Sequence, residues 1–314
     1  MKLLLNISII LLLWFGVGCK GINRDPYADT PTTGRISIGV DATFKPVAEA
    51  ELMVFHGLYR YSEITPIYRP ESECFEMLMD DSVRLILASR PLRNAEKEQL
   101  AAKQILPRQV RIATDAVALV VNPANPDTNL SLETIKRIIT GKITSWKQVN
   151  KESTLDEMSV VFDHKNSSIL SYMIDSICRG EAPTGQLYAL DSNLDVVDYV
   201  ARNKNALGLI GVSWISDRDD TLQLSFLRKI RVVAISETEP ATPDNSYQPY
   251  QAYIYEGLYP LSRNLYAIDS EPRNGLATGF LSFLASDKGQ RIILKTGVLP
   301  ANAPIRLINV RKDI

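Results

Sequence analysis

Histidine and cysteine are scarce in this chain, which has two histidines and three cysteines among its 314 residues. Because His56 and His164 are the only imidazoles, the sequence offers little for a zinc site or for general-base catalysis by histidine. It also lacks a phosphate-cradling P-loop and a Gly-x-Ser-x-Gly nucleophile elbow. Ser167 near His164 is too little to define a nucleophile and its base. We therefore expect a protein that is not an enzyme.

An excess of charge of one sign is missing as well. The chain has 35 basic and 36 acidic residues, which gives a formal net charge of -1 at pH 7. Without a basic excess or a long basic run, we expect no binding to nucleic acid. The hydrophobic fraction of 45% and the charged fraction of 23% are typical of a globular protein, and the length is sufficient for two lobes.

The longest apolar run stands at the N-terminal end and is short for a membrane span. Lys2 precedes LLLNISIILLLWFGVG, and the run ends at Gly18 and Cys19. This pattern indicates a lipoprotein signal peptide over residues 1–19, with Gly16 where an aliphatic residue is usual in a lipobox. We expect Cys19 to carry the lipid and residues 20–34 to form a tether. A plain secretory signal and an uncleaved anchor are the alternatives.

Two cysteines remain outside the signal segment, Cys74 and Cys178. Such cysteines are able to pair outside the cytoplasm. Here they belong to different predicted lobes, and a bond between them would lock lobe motion. We therefore predict two free, partly buried thiols.

Apolar runs of strand length alternate with segments of helical spacing along the chain, which favours an α/β fold with a mostly parallel sheet. Residues 252–268 have the pattern of extended segments around Gly257 and Pro260. The predicted strands are 36–40, 64–70, 83–89, 116–121, 158–163, 206–212 and 227–236, and the predicted helices are 47–61, 74–81, 95–103, 132–140, 169–178, 194–201 and a pair within 279–301.

Polar residues stand where several of these strands end. Thr43 follows one predicted strand, Ser89 ends another, and Asp115 lies at the mouth of the apolar run 116–121. In open α/β sheets, ligands bind beyond strand ends and at helix N-termini, so these residues are expected to share one crevice. A carboxylate such as Asp115 at a buried strand is either a ligand group or a costly burial.

Several segments together resemble the phosphate-binding proteins of bacterial phosphate uptake transporters. They are IATDAVALVVNPANP followed by LSLETIKRIITGKITSWKQV, then LILASRPL, YPLSRNLY and FLSFLASDKGQRIILKTGVLP. The resemblance implies a type II periplasmic-binding-protein fold of class α/β, with two lobes joined by two hinge crossings near 113–119 and 255–263. Lobe one would combine residues 35–115 with 260–314, and lobe two would comprise residues 116–259.

The same resemblance implies a set of ligand-binding residues. In the family, the first loop presents a hydroxyl and a backbone N–H to the ligand. A Ser-Arg pair and an aspartate at the start of a strand also belong to the pocket. The loop before the lobe-two helix completes the pocket. In this loop, Ser167 and Ser168 act either as N-caps of the helix or as hydroxyl donors to a bound anion. The residues matched are Thr43, Phe44, Ser89, Arg90, Asp115, Asn166, Ser167 and Ser168.

Two segments of the chain depart from the family pattern, mainly in charge. Asp163 stands where the family has arginine, and Ile169 where it has threonine. Glu71 and Glu73 occupy the family's glycine-rich loop. Carboxylates near a dianion are unfavourable unless they point away or pair with a cation such as Arg90, His164 or Lys165.

The function implied is a monomeric lipoprotein on the periplasmic side of a membrane, which captures inorganic phosphate without a cofactor and delivers it to an ABC transporter permease. The alternative is a divergent binding protein or sensor for another small anion, which Asp163 and Glu71 favour. A purely structural lipoprotein remains open as a further reading. Titration with phosphate, sulfate and arsenate separates these possibilities.

Overall fold

A mixed sheet forms the centre of the computed structural model, which describes residues 25–217 and 221–302. The strands are β1 (Gly34–Asp41), β2 (Ser62–Arg69), β3 (Leu85–Ala88), β4 (Arg108–Val121), β5 (Asn129–Ser131), β6 (Ser159–Phe162), β7 (Leu187–Ala189), β8 (Ala206–Gly211), β9 (Arg231–Val232), β10 (Ala234–Ser236), β11 (Ser262–Asp269) and β12 (Leu299–Pro300).

Helices surround this sheet. They are α1 (Lys45–Leu58), α2 (Glu71–Met79), α3 (Asn94–Ala102), α4 (Leu132–Ile139), α5 (Trp146–Val149), α6 (Ser168–Tyr172), α7 (Asn193–Arg202), α8 (Thr221–Lys229), α9 (Gln251–Tyr255), α10 (Leu276–Ala285) and α11 (Asp287–Lys295). A π-helical turn, Met173–Ile177, continues α6, and 3₁₀ turns occupy Ala42–Phe44 and Val212–Trp214.

The sheet runs in the order β2-β1-β3-β11-β4-β8-β6-β7, with β9 and β12 also paired to β4. At one end β1 is parallel to β2 and β3, and at the other β6 is parallel to β7 and β8. Strands β3 and β8 are buried at every position, as expected for strands covered on both faces. This arrangement is the α/β architecture that the sequence predicts.

One strand connects the two ends of the sheet. The first part of β4 pairs with β11 through residues 108–116, and its last part pairs with β8 through 117–121. The change of partner falls inside the predicted crossing at 113–119. Because β4 leaves the first end and β11 returns to it, the two strands run antiparallel. The prediction of a mostly parallel sheet is therefore wrong for the centre of the sheet and right for its ends.

The sequence predicts one strand over 227–236, but only half of this segment is strand. Helix α8 extends to Lys229, and only the short strands β9 and β10 follow. Gln223, Phe226 and Ile230 are buried at spacings of three and four, which is the helical period. An apolar run of this length does not by itself distinguish a helix from a strand.

The prediction of extended structure over 252–268 is also wrong in its first part. Residues Gln251–Tyr255 form the short helix α9, in which the Ile254 amide donates to the carbonyl of Tyr250 at 3.0 Å. Gly257 follows with a φ of 71°, a left-handed conformation that glycine adopts at helix ends. Strand β11 accounts for the second part.

The described part of the predicted tether packs against the domain. The amide of Leu276 in α10 donates to Asp29 Oδ1 at 2.9 Å, and Thr30 and Thr33 form a β-bridge just before β1. Residues 1–24, including Cys19, lie outside the described residues. Within 25–217 and 221–302, no helix combines the length and the apolar character that crossing a membrane requires. The other two cysteines, Cys74 and Cys178, are free, as predicted, and they are fully buried where the prediction was partial burial.

Candidate functional site

The loop after β1 turns sharply and buries its polar residues. Asp41 Oδ1 accepts from the backbone N–H of Thr43 at 3.1 Å, which closes the 3₁₀ turn Ala42–Phe44. Thr43 and Phe44 are both fully buried in this turn. The turn therefore fixes a threonine hydroxyl and an aromatic ring beside the other end of the sheet.

Thr43 contacts elements of predicted lobe two through both its side chain and its backbone. Its hydroxyl lies 3.2 Å from Asp163 Oδ2 and 3.3 Å from Ser168 Oγ, and Trp214 Nε1 donates to its carbonyl at 2.8 Å. A Cβ on Gly211 would lie 2.6 Å from Thr43 Cγ2, so this close approach requires a glycine. The two lobes thus meet at Thr43.

Asp163 is held by neutral donors. Its carboxylate accepts from the hydroxyls of Thr43 and Ser167 and from Asn193 Nδ2, the last at 3.1 Å. Ser167 also accepts from the amide of Ile169 at 3.1 Å, so it has the predicted N-cap role for α6. Two hydroxyls predicted to bind an anion are therefore bonded to a carboxylate of the chain itself.

Arg263 is the functional candidate that sequence reasoning missed. It lies opposite Asp115 in the register of β4 and β11, which places the two side chains on the same face of the sheet. Its Nε and Nη2 atoms lie 3.1 and 3.0 Å from Asp115 Oδ2, and Nη1 donates to Ser168 Oγ at 2.9 Å. The guanidinium also lies 4.7 Å from the ring centroid of Phe44. The available signal was a charged residue near the start of β11, which continues in the apolar run 265–268.

Burial governs the protonation of the acids in this region. Desolvation raises the pKa of Asp115, while the charge of Arg263 acts in the opposite direction. Burial, followed by the charge of Glu71, raises the pKa of Asp41 to about 7. Asp41 is therefore an acid whose protonation changes near neutral pH.

Ser89 and Arg90 lie with Glu71, on the side of predicted lobe one. Glu71 Oε1 accepts from the amide and the hydroxyl of Ser89 at 2.5 and 2.6 Å. Arg90 pairs with Glu96 at 2.8 Å, approaches Glu71 at 3.8 Å and lies over the ring of Phe75. Glu71 is thus partly compensated by a cation.

Two cavities lie on either side of the Thr43 contact. The first, which we call the serine–arginine cavity, has a volume of about 540 Å³. Its lining includes Glu71, Ser89, Arg90, Arg93, Lys165, Asn166, Ser168, Asp175 and Arg263. It lies between segments of both predicted lobes.

The second, which we call the acidic cavity, has a volume of about 390 Å³. Its lining includes Asp41, Lys45, Tyr68, Arg69, Glu73, Asp163, Asp191 and Asn193. Asp163 and Glu73 therefore face the acidic cavity and not the serine–arginine cavity, and Glu73 approaches Arg69 at 3.7 Å. The sequence analysis treats these two carboxylates as unfavourable for anion binding, but both face away from the serine–arginine cavity.

The structure brings the predicted residues into one region with different exposures. Ser89, Arg90, Asn166 and Ser168 line the serine–arginine cavity, with Asn166 exposed at its edge. Thr43, Phe44 and Asp115 are fully buried and line neither cavity, and Ser167 lines the acidic cavity. In the described part of the chain, no cluster of three or more His, Cys, Asp or Glu residues is arranged to hold a metal ion.

Comparison with known families identifies the fold. The family described as the PBP superfamily domain matches residues 25–288. The chain belongs to the PBP superfamily. Its type II periplasmic-binding-protein fold, with two α/β lobes and two crossings, is the fold that the sequence predicts.

Curated relatives of this chain are phosphate-binding proteins. The phosphate-binding protein PstS of Staphylococcus saprophyticus is 26% identical over 221 residues, which cover 69% of this chain and 65% of that protein. PstS of Staphylococcus aureus is also 26% identical, over 220 residues that cover 69% of this chain and 63% of the relative. The chain thus spans about two thirds or less of the curated relatives it matches.

Solved structures of the PBP superfamily share the architecture. A putative phosphate ABC transporter substrate-binding protein from Clostridium perfringens, solved with bound phosphate, has a TM-score of 0.70 at 24% identity, over 85% of this chain and 99% of that one. An ABC-type phosphate transport receptor from Vibrio cholerae has a TM-score of 0.63 at 21% identity, over 85% and 100%. At these identities the similarity establishes the fold.

Proposed function

We propose that this chain is an extracytoplasmic binding protein that holds a small oxyanion, with inorganic phosphate as the first candidate, between its lobes and delivers it to an ABC permease. The observation that carries the proposal is Arg263, a buried guanidinium at the serine–arginine cavity with Ser168 bonded to it. The similarity to phosphate-binding proteins supports phosphate as the candidate.

The position of Arg263 compensates for the departure at Asp163. The resemblance places an arginine at 163, where this chain has a carboxylate that faces the acidic cavity. Arg263 supplies a guanidinium from β11, and Asp115 orients it from the opposite strand. A guanidinium is suited to an oxyanion because its planar donors match two oxygens at once.

The remaining donors come from both lobes. Ser168 belongs to predicted lobe two, and Ser89 and Arg90 belong to predicted lobe one. An anion that contacts both sides stabilises the closed arrangement of the lobes over any open one. A permease recognises such a protein by the surface that the two closed lobes form together, and the lipid on Cys19 keeps the protein at the membrane.

Titration calorimetry on residues 25–314 tests the proposal with phosphate, arsenate and sulfate. We expect saturable phosphate binding, weakened about 100-fold or more in Arg263→Gln, because a charged hydrogen-bond partner of the anion is lost. Ser168→Ala removes only a hydroxyl and leaves Arg263 paired with Asp115, so it tests the same contact with less risk to folding. Arg35→Gln, which removes an exposed arginine, is the control and should leave the affinity unchanged.

A divergent role for another small anion is the second candidate. The observation that favours it is the bonding of Asp163 to the hydroxyls of Thr43 and Ser167, which leaves fewer neutral donors for phosphate. Tighter binding of sulfate than of phosphate would favour this candidate. A folded protein that binds none of the three anions at millimolar concentration would exclude the first proposal.

A further inference from the structure

The serine–arginine cavity is large for the ligand of the proposed function, on which this inference rests. Its volume of about 540 Å³ falls within the range of roughly 300–1,000 Å³ typical of sites for drug-sized ligands. An orthophosphate beside Arg263 and Ser168 would fill only a small part of this space. The residues that line the rest of the cavity therefore bear on the size of the ligand.

Cations outnumber acids in the lining of this cavity. Arg90, Arg93, Lys165 and Arg263 line it, against Glu71 and Asp175. Arg90 is paired with Glu96, and Arg263 with Asp115. These two are thus partly compensated by carboxylates.

Arg93 and Lys165 differ from them. Neither side chain forms an ion pair within 4.0 Å of a carboxylate in the part of the chain that the structure describes, although the charge of Arg93 also acts on Glu96, the partner of Arg90. Arg93 directly precedes α3 in predicted lobe one, and Lys165 lies in the loop before α6 in predicted lobe two. The two exposed cations come from different lobes and line the same cavity as Arg263. They provide a second positive region, separate from the buried one.

Arg263 provides the buried anchor. The residue is 5% exposed, and its Nη2 atom is buried without a well-formed hydrogen bond although it lies 3.0 Å from Asp115. A buried guanidinium donor without an acceptor is costly, and a ligand oxygen in the adjacent cavity would satisfy it. The cavity thus combines one desolvated donor with two solvent-accessible cations.

We propose that the serine–arginine cavity binds a phosphoryl group that carries a second anionic group, as in a condensed phosphate or a carboxylated phosphate ester. The phosphoryl group binds Arg263 and Ser168, and the second anionic group binds Arg93 and Lys165. Because these two cations belong to different lobes, the second group also contributes to closing the cleft.

Calorimetry with four probes tests this proposal on residues 25–314. The probes are orthophosphate, pyrophosphate, 3-phosphoglycerate and glycerol 2-phosphate, a phosphate ester that has no second anionic group. We expect pyrophosphate or 3-phosphoglycerate to bind about 10-fold or more tightly than orthophosphate, with glycerol 2-phosphate no tighter than orthophosphate, because the gain depends on charge pairing. Tight binding of pyrophosphate alone assigns condensed phosphates, and tight binding of 3-phosphoglycerate alone assigns carboxylated esters.

A double variant identifies the second region. Arg93→Gln with Lys165→Gln should reduce the affinity for the probe with two anionic groups about 10-fold or more and change that for orthophosphate less than about 3-fold. The matched control is Arg60→Gln with Lys97→Gln, which removes two exposed cations that do not line the cavity.

The outcomes separate this inference from the proposed function. Orthophosphate binding as tightly as pyrophosphate and 3-phosphoglycerate, or an equal loss for both kinds of ligand in the double variant, would overturn the inference and leave the proposed function standing. Absence of binding for all four probes in the folded protein would overturn both.

Discussion

At the scale of single residues, the region around Thr43 stabilises its buried acids in three different ways. Asp163 accepts hydrogen bonds from neutral groups, Asp115 faces a guanidinium, and burial raises the pKa of Asp41 to about 7. A neighbouring cation favours the charged form of a carboxyl, as at Asp115, whereas burial favours the neutral form, as at Asp41. The charge of the site therefore changes with pH through Asp41.

A fourth buried acid, Glu51 in α1, has no compensation and gives a direct test of this reasoning. Both of its carboxylate oxygens are buried without a hydrogen-bond partner, and burial raises its pKa from 4.5 to about 9. Between these two values the folded protein holds a proton that the unfolded chain has released. Stability should therefore fall as pH rises through this window, by up to about 1.4 kcal/mol per pH unit.

Glu51→Met should remove this slope, because the variant has no proton to release. We expect its advantage in free energy of unfolding over the parent protein to grow from pH 5 to pH 9, as measured by chemical denaturation. Glu49→Met, which changes an exposed glutamate of the same helix, is the matched control and should keep the slope of the parent. Parallel pH profiles for the parent and Glu51→Met would contradict the prediction.

At the scale of elements, the pairing of β4 with β11 creates the centre of the site. The register places Arg263 opposite Asp115, although the two residues are 148 positions apart in the chain. A slip of one residue would turn Arg263 to the other face of the sheet. The contact therefore depends on strand pairing across the two crossings.

This dependence explains which parts of the site could be predicted. The roles of Thr43, Ser89 and Asp115 could be predicted because these residues lie at the ends of apolar runs, and the ends of such strands meet at one edge of a sheet. The role of Arg263 could not be predicted, because it depends on the partner of this residue in β4 and not on its neighbours in sequence. The helix at 221–229 was missed for a related reason, since a short apolar run fits helix and strand alike.

A double-mutant cycle on the two strands tests the cross-strand pair. Asp115→Asn alone should destabilise the protein by about 3–5 kcal/mol, because it leaves the buried charge of Arg263 unpaired. Asp115→Asn combined with Arg263→Gln should cost clearly less than the sum of the single substitutions, as measured by chemical denaturation.

The matched comparison is another cross-strand pair of the same chemistry. Arg35 and Glu63 are opposite each other in β1 and β2, and Arg35 Nε lies 2.7 Å from Glu63 Oε2. Their side chains are nevertheless 61% and 58% exposed. Their coupling should be much smaller, because solvent screens an exposed pair. Equal coupling in the two cycles would show that burial does not determine the strength of the Arg263 contact.

At the scale of the whole molecule, Trp214 offers a probe of how the lobes meet. Its indole N–H donates to the Thr43 carbonyl at 2.8 Å, and Ser213 beside it donates to the same carbonyl at 3.3 Å. Opening of the cleft would break these bonds and expose the indole to water. An anion held by both lobes should shift the population toward the arrangement in which the bonds are formed.

Tryptophan fluorescence measures this shift, with one indole retained at a time. Starting from residues 25–314, Trp146→Phe leaves Trp214 as the only tryptophan, and we expect its emission to change saturably with phosphate at the dissociation constant found by calorimetry. Trp214→Phe leaves Trp146, which is fully buried in predicted lobe two and donates to the carbonyl of Asn205 at 3.0 Å. Its emission should stay constant, because lobe closure does not change its surroundings. A phosphate-dependent change in Trp146 with none in Trp214 would mean that the anion alters the interior of lobe two instead of its contact with lobe one.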